Sequence, residues 1–121
     1  MRQDTSDHRA AYDREALIKD LVAVLGQAKV RWHPEDLIVY ENDASVFRAL
    51  ADVIVFPETT AETAAVVKAC NRHQAPVIPR GSGTGLAGGT VPLTGGVLLL
   101  TTKMHRILEI DLDSRLAVVQ P

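Results

Sequence analysis

Five glycines fall within nine residues, at Gly81, Gly83, Gly85, Gly88 and Gly89, in the stretch VIPRGSGTGLAGG that runs from Val77. Glycine enters positive φ without steric penalty and leaves no side chain between backbone and ligand. A loop of alternating glycines can turn several N–H groups toward one point, a concavity that suits phosphate oxygens. Ser82 and Thr84 add hydroxyl donors, and Arg80 adds a fixed positive charge at the loop's entrance. The chemistry on offer is the grip of a diphosphate. The plainer alternative is a flexible surface loop, with Arg80 paired to a carboxylate and merely holding it.

Two familiar phosphate loops nearly match and fail. Gly83-Thr84-Gly85-Leu86-Ala87-Gly88 is a literal G-x-G-x-x-G, but that fingerprint requires the loop to open a helix. Here it is followed by Gly89-Thr90-Val91-Pro92-Leu93-Thr94-Gly95-Gly96, where proline, glycine and β-branched residues leave no room for one. Gly83 to Thr90 has the spacing of the nucleoside-triphosphate loop, yet Gly89 stands where its lysine must be.

Other reactive side chains are weaker candidates. Asp111 and Asp113 lie in Asp-Leu-Asp-Ser-Arg, the composition of a solvated hairpin turn. Cys70 falls on the apolar side of a helical pattern and reads as a small buried hydrophobe. His33, beside Pro34, reads as an exposed loop residue, and His8 has no evident partner in sequence.

The elements that must position the loop follow from periodicity. Val53-Ile54-Val55-Phe56, closed by Pro57, is a buried strand by composition. Thr59 and Glu62 have capping-box spacing and start a helix that runs to about His73, with Val66, Val67 and Cys70 inward and Glu62, Lys68 and Arg72 outward. Val77-Ile78 is the next strand. This strand–helix–strand order predicts parallel strands, with the glycine loop at the carboxyl end of the second, where ligands collect in open α/β sheets. Val97–Thr101 is a third strand entered through Gly95-Gly96, Ile107–Ile110 is extended, and Leu116–Gln120 begins another strand. Upstream, Leu17, Leu21, Val24 and Leu25 mark one face of a helix stopped by Gly26, behind a charged tail. Asp36–Glu41 reads as a short strand or extended connection, and Asn42-Asp43-Ala44-Ser45 as a turn in which Asp43 can cap the next segment.

Composition narrows the class. The chain has 121 residues, 46% of them apolar, and a net charge of −2 with no basic cluster, which argues against nucleic acid. Aromatics make up only 4%, thin for a base-stacking platform. A single cysteine allows no intramolecular disulfide, which suits a reducing cytoplasm. No apolar run approaches the ~18 residues of a membrane span, and the N-terminus lacks the apolar core of a secretory leader.

PRGSGTGLAGG, followed by GGVLLL and MHRILEID and preceded by YENDASVFRALADVIVFPETTAET, resembles the PCMH-type FAD-binding domain of the vanillyl-alcohol-oxidase flavoproteins. Within them it is most similar to the group of FAD-linked oxidases that holds the GlcD-type glycolate oxidases and the D-lactate dehydrogenases. The resemblance spans roughly Val30 to Pro121; His105 departs from it, standing where relatives often carry Asn. It implies an α/β (α+β) fold, with a small, mostly parallel sheet of three to four strands and flanking helices. Residues 1–29 are then a tail and amphipathic helix, and 30–121 the first, incomplete part of the FAD-binding domain. It assigns the FAD pyrophosphate to Arg80, Gly81, Ser82, Gly83, Thr84 and Gly85 with Gly88 and Gly89, flanked by Pro79 and Leu86, and leaves the catalytic residues to later sequence. The expected function is that of an FAD-dependent oxidoreductase acting on a small 2-hydroxyacid, with other oxidase subunits as partners and self-association of the chain alone. A non-catalytic nucleotide- or anion-binding module and an inactive fragment remain the alternatives.

Overall fold

Parallel pairing of three short apolar strands organises the chain. The computed structural model describes residues 11–121; the charged tail with His8 lies outside them. A four-stranded sheet has the order β1 (Val30–Arg31), β2 (Val53–Val55), β4 (Val97–Leu100), β3 (Val77–Arg80). β2 and β3 both run parallel to β4, and β1 pairs antiparallel with β2. The two strands of the expected strand–helix–strand unit are thus parallel, with β4 inserted between them. Val53 and Val77 both register with Val97, so the three strands start level.

β2 and β4 are buried along their whole length, as continuous apolar runs in a covered parallel sheet must be. Their alternate residues serve two cores. Val53, Val55, Val97 and Leu99 meet Leu17, Leu21 and Leu25 of helix α1 (Arg14–Leu25) and Val66, Ala69 and Cys70 of helix α3 (Thr60–His73). Ile54, Leu98 and Leu100 face the opposite way, onto Leu37, Ala51, Tyr40 and Phe56. Each such side chain contributes about 1.5–3 kcal/mol when fully removed from water.

The helix boundaries have local causes. Asp13 caps α1 by accepting from Glu15 N and Ala16 N at 3.0 and 3.1 Å, and Gly26 ends it at φ +83°. Thr59 Oγ1 accepts from Glu62 N at 3.1 Å, half of the expected capping box. The Glu62 carboxylate accepts instead from Glu58 N and from Lys29 Nζ, each at 2.7 Å. Glu62 is therefore half-buried in an ion pair and not outward-facing, and Val67, expected inside, is exposed because the inner face follows Val66, Ala69 and Cys70.

The stretch Asp36–Glu41 is helical, not extended: α2 (Pro34–Leu37) continues into a 3₁₀ turn, Ile38–Tyr40. His33 is extended, as a residue before proline prefers, and Pro34 then occupies the first helical position, where its missing N–H costs nothing. Asp43 caps no helix; it closes a tight turn by accepting from Ser45 N at 2.8 Å. Among the described residues no helix is long and apolar enough to cross a membrane. The chain ends in an antiparallel hairpin, β5 (Ile107–Asp111) and β6 (Leu116–Val119), outside the main sheet. Its turn is the polar one expected, with Asp111 Oδ1 accepting from Ser114 N at 3.0 Å, a bond that holds this carboxyl below the usual range.

Candidate functional site

The glycine loop leaves β3 at the carboxyl ends of the parallel strands. Pro79 lies within β3, an edge strand, the sheet position that tolerates a missing donor. Thr101 N donates to Arg80 O at 3.0 Å, so the exits of β3 and β4 are locked side by side. A cleft of about 530 Å³ opens there, lined by Gly81 and Ser82 from the loop, by Thr101, Thr102 and Met104 after β4, and by His105–Ile107 and Val119–Pro121 of the hairpin.

Gly81, Ser82, Thr84, Gly85, Leu86, Ala87 and Gly89 are exposed or half-exposed. Among the described residues, none of the backbone N–H groups from Gly81 to Gly89 finds an acceptor in the chain. The run of donors stays open to whatever occupies the loop's outer face. A methyl group at Gly81 or Gly89 would meet nothing within 4 Å, so these positions keep space on the outside. Gly83 and Gly88 are glycines for a different reason. Both hold positive φ, +73° and +75°, and both lie flat on a side chain beneath. A methyl at Gly83 would sit 2.6 Å from Arg80 Cζ, and one at Gly88 2.6 Å from Phe47 Cδ2.

Arg80 is only 9% exposed and its guanidinium points under the loop. Nη1 donates to Asn42 O at 2.9 Å, and Cζ stands 5.7 Å from the centroid of the Tyr40 ring. Asp43, 6% exposed, accepts from Ser45 N and, through Oδ2, from Thr90 Oγ1 at 3.1 Å. Hydrogen bonds from the Ser45 hydroxyl and amide hold the Asp43 carboxyl below the usual carboxylate range against the opposing effect of burial; Thr90 and the charge of Arg80 add to this.

The sequence candidates therefore divide. Gly81 and Ser82 line the cleft, Thr84, Gly85 and Leu86 form an exposed crest, and Gly88-Gly89 form a turn on the Phe47 side, where Val91 N donates to Gly88 O at 3.1 Å. Tyr40, Asn42, Asp43, Phe47 and Thr90, none of them a sequence candidate, form the loop's floor. Only the turn character of Asn42–Ser45 was visible from residue types; a buried Asp in a turn carries no mark of its distant partner. Cys70 is fully buried, and burial pushes its thiol up to about 11, which leaves it inert. Among the described residues no cluster could hold a metal ion.

A positive-φ glycine loop with open amides, set where parallel strands end, fits a diphosphate. Residues 51–121, more than half of the chain, match the family model of the FAD binding domain. The chain belongs to this FAD-binding family. FAD is the cofactor of such domains, and the open amides and unfilled space at Gly81 and Gly89 are compatible with its diphosphate.

The chain is similar to glycolate oxidase subunit GlcD of Bacillus subtilis (strain 168), at 42% identity over 69% of this chain and 18% of that protein. It is 36% identical to glycolate oxidase subunit GlcD of Escherichia coli (strain K12), over 90% of this chain and 22% of the relative. The D-lactate dehydrogenase of Anaerostipes hadrus is 44% identical over 60% of this chain and 15% of its own length. Among solved structures, 4-ethylphenol oxidase from Gulosibacter chungangensis superposes with a TM-score of 0.78 at 27% identity, over 93% of this chain and 23% of that one. p-Cresol methylhydroxylase, 24% identical, shares the fold, with a TM-score of 0.71 over 80% of this chain and 20% of that one. The expected PCMH-type α/β fold is the one found, and the chain spans about a fifth of the length of these relatives.

Proposed function

We propose that this chain supplies the diphosphate grip of an FAD-dependent oxidoreductase acting on a small 2-hydroxyacid of the glycolate or D-lactate kind. The observation that carries the grip is the run of unpartnered N–H groups from Gly81 to Gly89 at the carboxyl ends of β3 and β4. The substrate class is supported by the names of the relatives, glycolate oxidase and D-lactate dehydrogenase. When bound, FAD supplies the redox chemistry, accepting a hydride equivalent from the carbinol carbon. The chain's own share is to hold and orient it. Gly81, Ser82, Gly83, Thr84 and Gly85 present amides and hydroxyls, and Gly88-Gly89 close the far side. Arg80 acts from beneath, holding the loop and adding positive charge. Residues 30–121 form the first part of the FAD-binding domain, and 1–29 a tail and helix that precede it. The buried, unoxidised thiol of Cys70 suits the cytoplasm.

The test is an FAD titration followed by flavin fluorescence. Gly81→Ala fills space that nothing in the chain occupies, so its melting temperature should stay within about 2 °C of the parent while FAD binding weakens at least tenfold. Gly83→Val adds strain of about 1–2 kcal/mol and displaces Arg80, so it should lose both FAD and stability. Unchanged FAD affinity in both variants would refute the grip.

A further inference from the structure

The loop is held at both ends by two adjacent residues on one neighbouring segment. At its start, Arg80 Nη1 donates to the backbone oxygen of Asn42 at 2.9 Å. At its close, Thr90 Oγ1 donates to Asp43 Oδ2 at 3.1 Å. The same carboxylate lies under the middle of the loop, 4.0 Å from where a methyl on Gly85 would stand. Asp43 is itself fixed by Ser45 N at 2.8 Å, and Ser45 Oγ accepts from Phe47 N at 3.2 Å, below Gly88.

We infer that Asp43 is a positioning residue for the diphosphate loop, acting through Thr90 to set the loop before ligand arrives. The inference rests on the reading of the loop as the FAD grip. A glycine-rich loop has more conformational freedom to lose on binding than any other, and a loop already ordered loses less. The chain puts a carboxylate beneath a site for an anion, which Coulomb repulsion alone disfavours. Its retention of charge is explained by its donors: two from Ser45, one from Thr90, and the guanidinium of Arg80 nearby. Arg80 is thereby partly neutralised from below, and the outward grip is left to neutral amides.

Charge and positioning predict opposite signs, which makes the inference testable. Asp43→Asn removes the repelling charge; Thr90→Val deletes the same hydrogen bond at constant charge; Thr90→Ser keeps it. The experiment is ¹⁵N relaxation of the full chain without ligand, followed by FAD titration monitored on the same amide spectrum, with the β4 amides reporting that each variant is folded. Asp43→Asn and Thr90→Val should each lower the order parameters of the 81–89 amides and weaken FAD about fivefold to tenfold, the worth of one hydrogen bond. Thr90→Ser should restore both. Tighter FAD binding in Asp43→Asn, or unchanged loop order in both variants, would overturn the positioning role. A parent chain in which saturating FAD shifts no loop amide would overturn the grip itself, a different failure visible before any variant is made.

Discussion

Gly81 and Gly83 stand two residues apart and meet opposite demands. The first keeps space free on the loop's outer side, and the second lets the loop lie on a buried guanidinium. Arg80 connects the two, since it closes β3 and then turns under the chain it has just released. Its charge could reach a diphosphate only from below, across the loop. Arg80→Ala would strand the Asn42 carbonyl and empty the space under Gly83, so it should destabilise the fold by roughly 1–3 kcal/mol, read as a lower denaturation midpoint. FAD should weaken with it, and because the guanidinium is shielded from solvent, the loss should change little between low and moderate salt. A deficit that disappears as salt rises would instead place Arg80 in direct, exposed contact with the ligand.

At the scale of elements, α1 and α3 are joined across their exposed flank by Asp20, whose Oδ2 lies 2.8 Å from His73 Nε2 and 3.3 Å from Arg72 Nη2. The bond from His73, then that from Arg72, holds the Asp20 carboxyl below its ordinary value. A depressed carboxylate contributes stability above the unfolded pKa of about 3.9 and loses it as pH falls through the lower folded value. Asp20→Asn should therefore melt earlier than the parent at pH 6–7, and the gap should close below about pH 4. A gap that persists at pH 3 would show that the carboxylate's charge is not what joins the helices. The elements legible from residues alone were those with a full period: α1 from its leucines, α3 from Thr59 and Glu62, and β2 and β4 from unbroken apolar runs. β1 has two residues and α2 four, too few to show any period. The loop's floor was hidden for another reason. Asp43 and Thr90 are 47 residues apart, and Arg80 and Asn42 are 38, and a hydrogen bond over that separation leaves no local pattern.

The whole molecule is well covered on both faces of its main sheet and bare at the hairpin. Ile107, Leu108, Ile110, Leu116, Val118 and Val119 are all at least 40% exposed, and Leu112 at the turn is 83% exposed. A two-stranded ribbon with apolar residues on both faces and open edges invites association. The chain should sediment as dimers or larger species at tens of micromolar, and Ile110→Lys should shift it toward monomer; an unaltered monomer in both would leave the hairpin without that role. With one side of the cofactor held, the chain should carry little flavin and reduce no dye with glycolate or D-lactate. The central claim is that the amides from Gly81 to Gly89 are what FAD meets. Hydrogen–deuterium exchange of the chain with and without millimolar FAD addresses it directly. The account predicts slower exchange in the 81–89 segment, with α1 and α3 unchanged. Flavin that binds, or fails to bind, while those amides exchange at the ligand-free rate would contradict it.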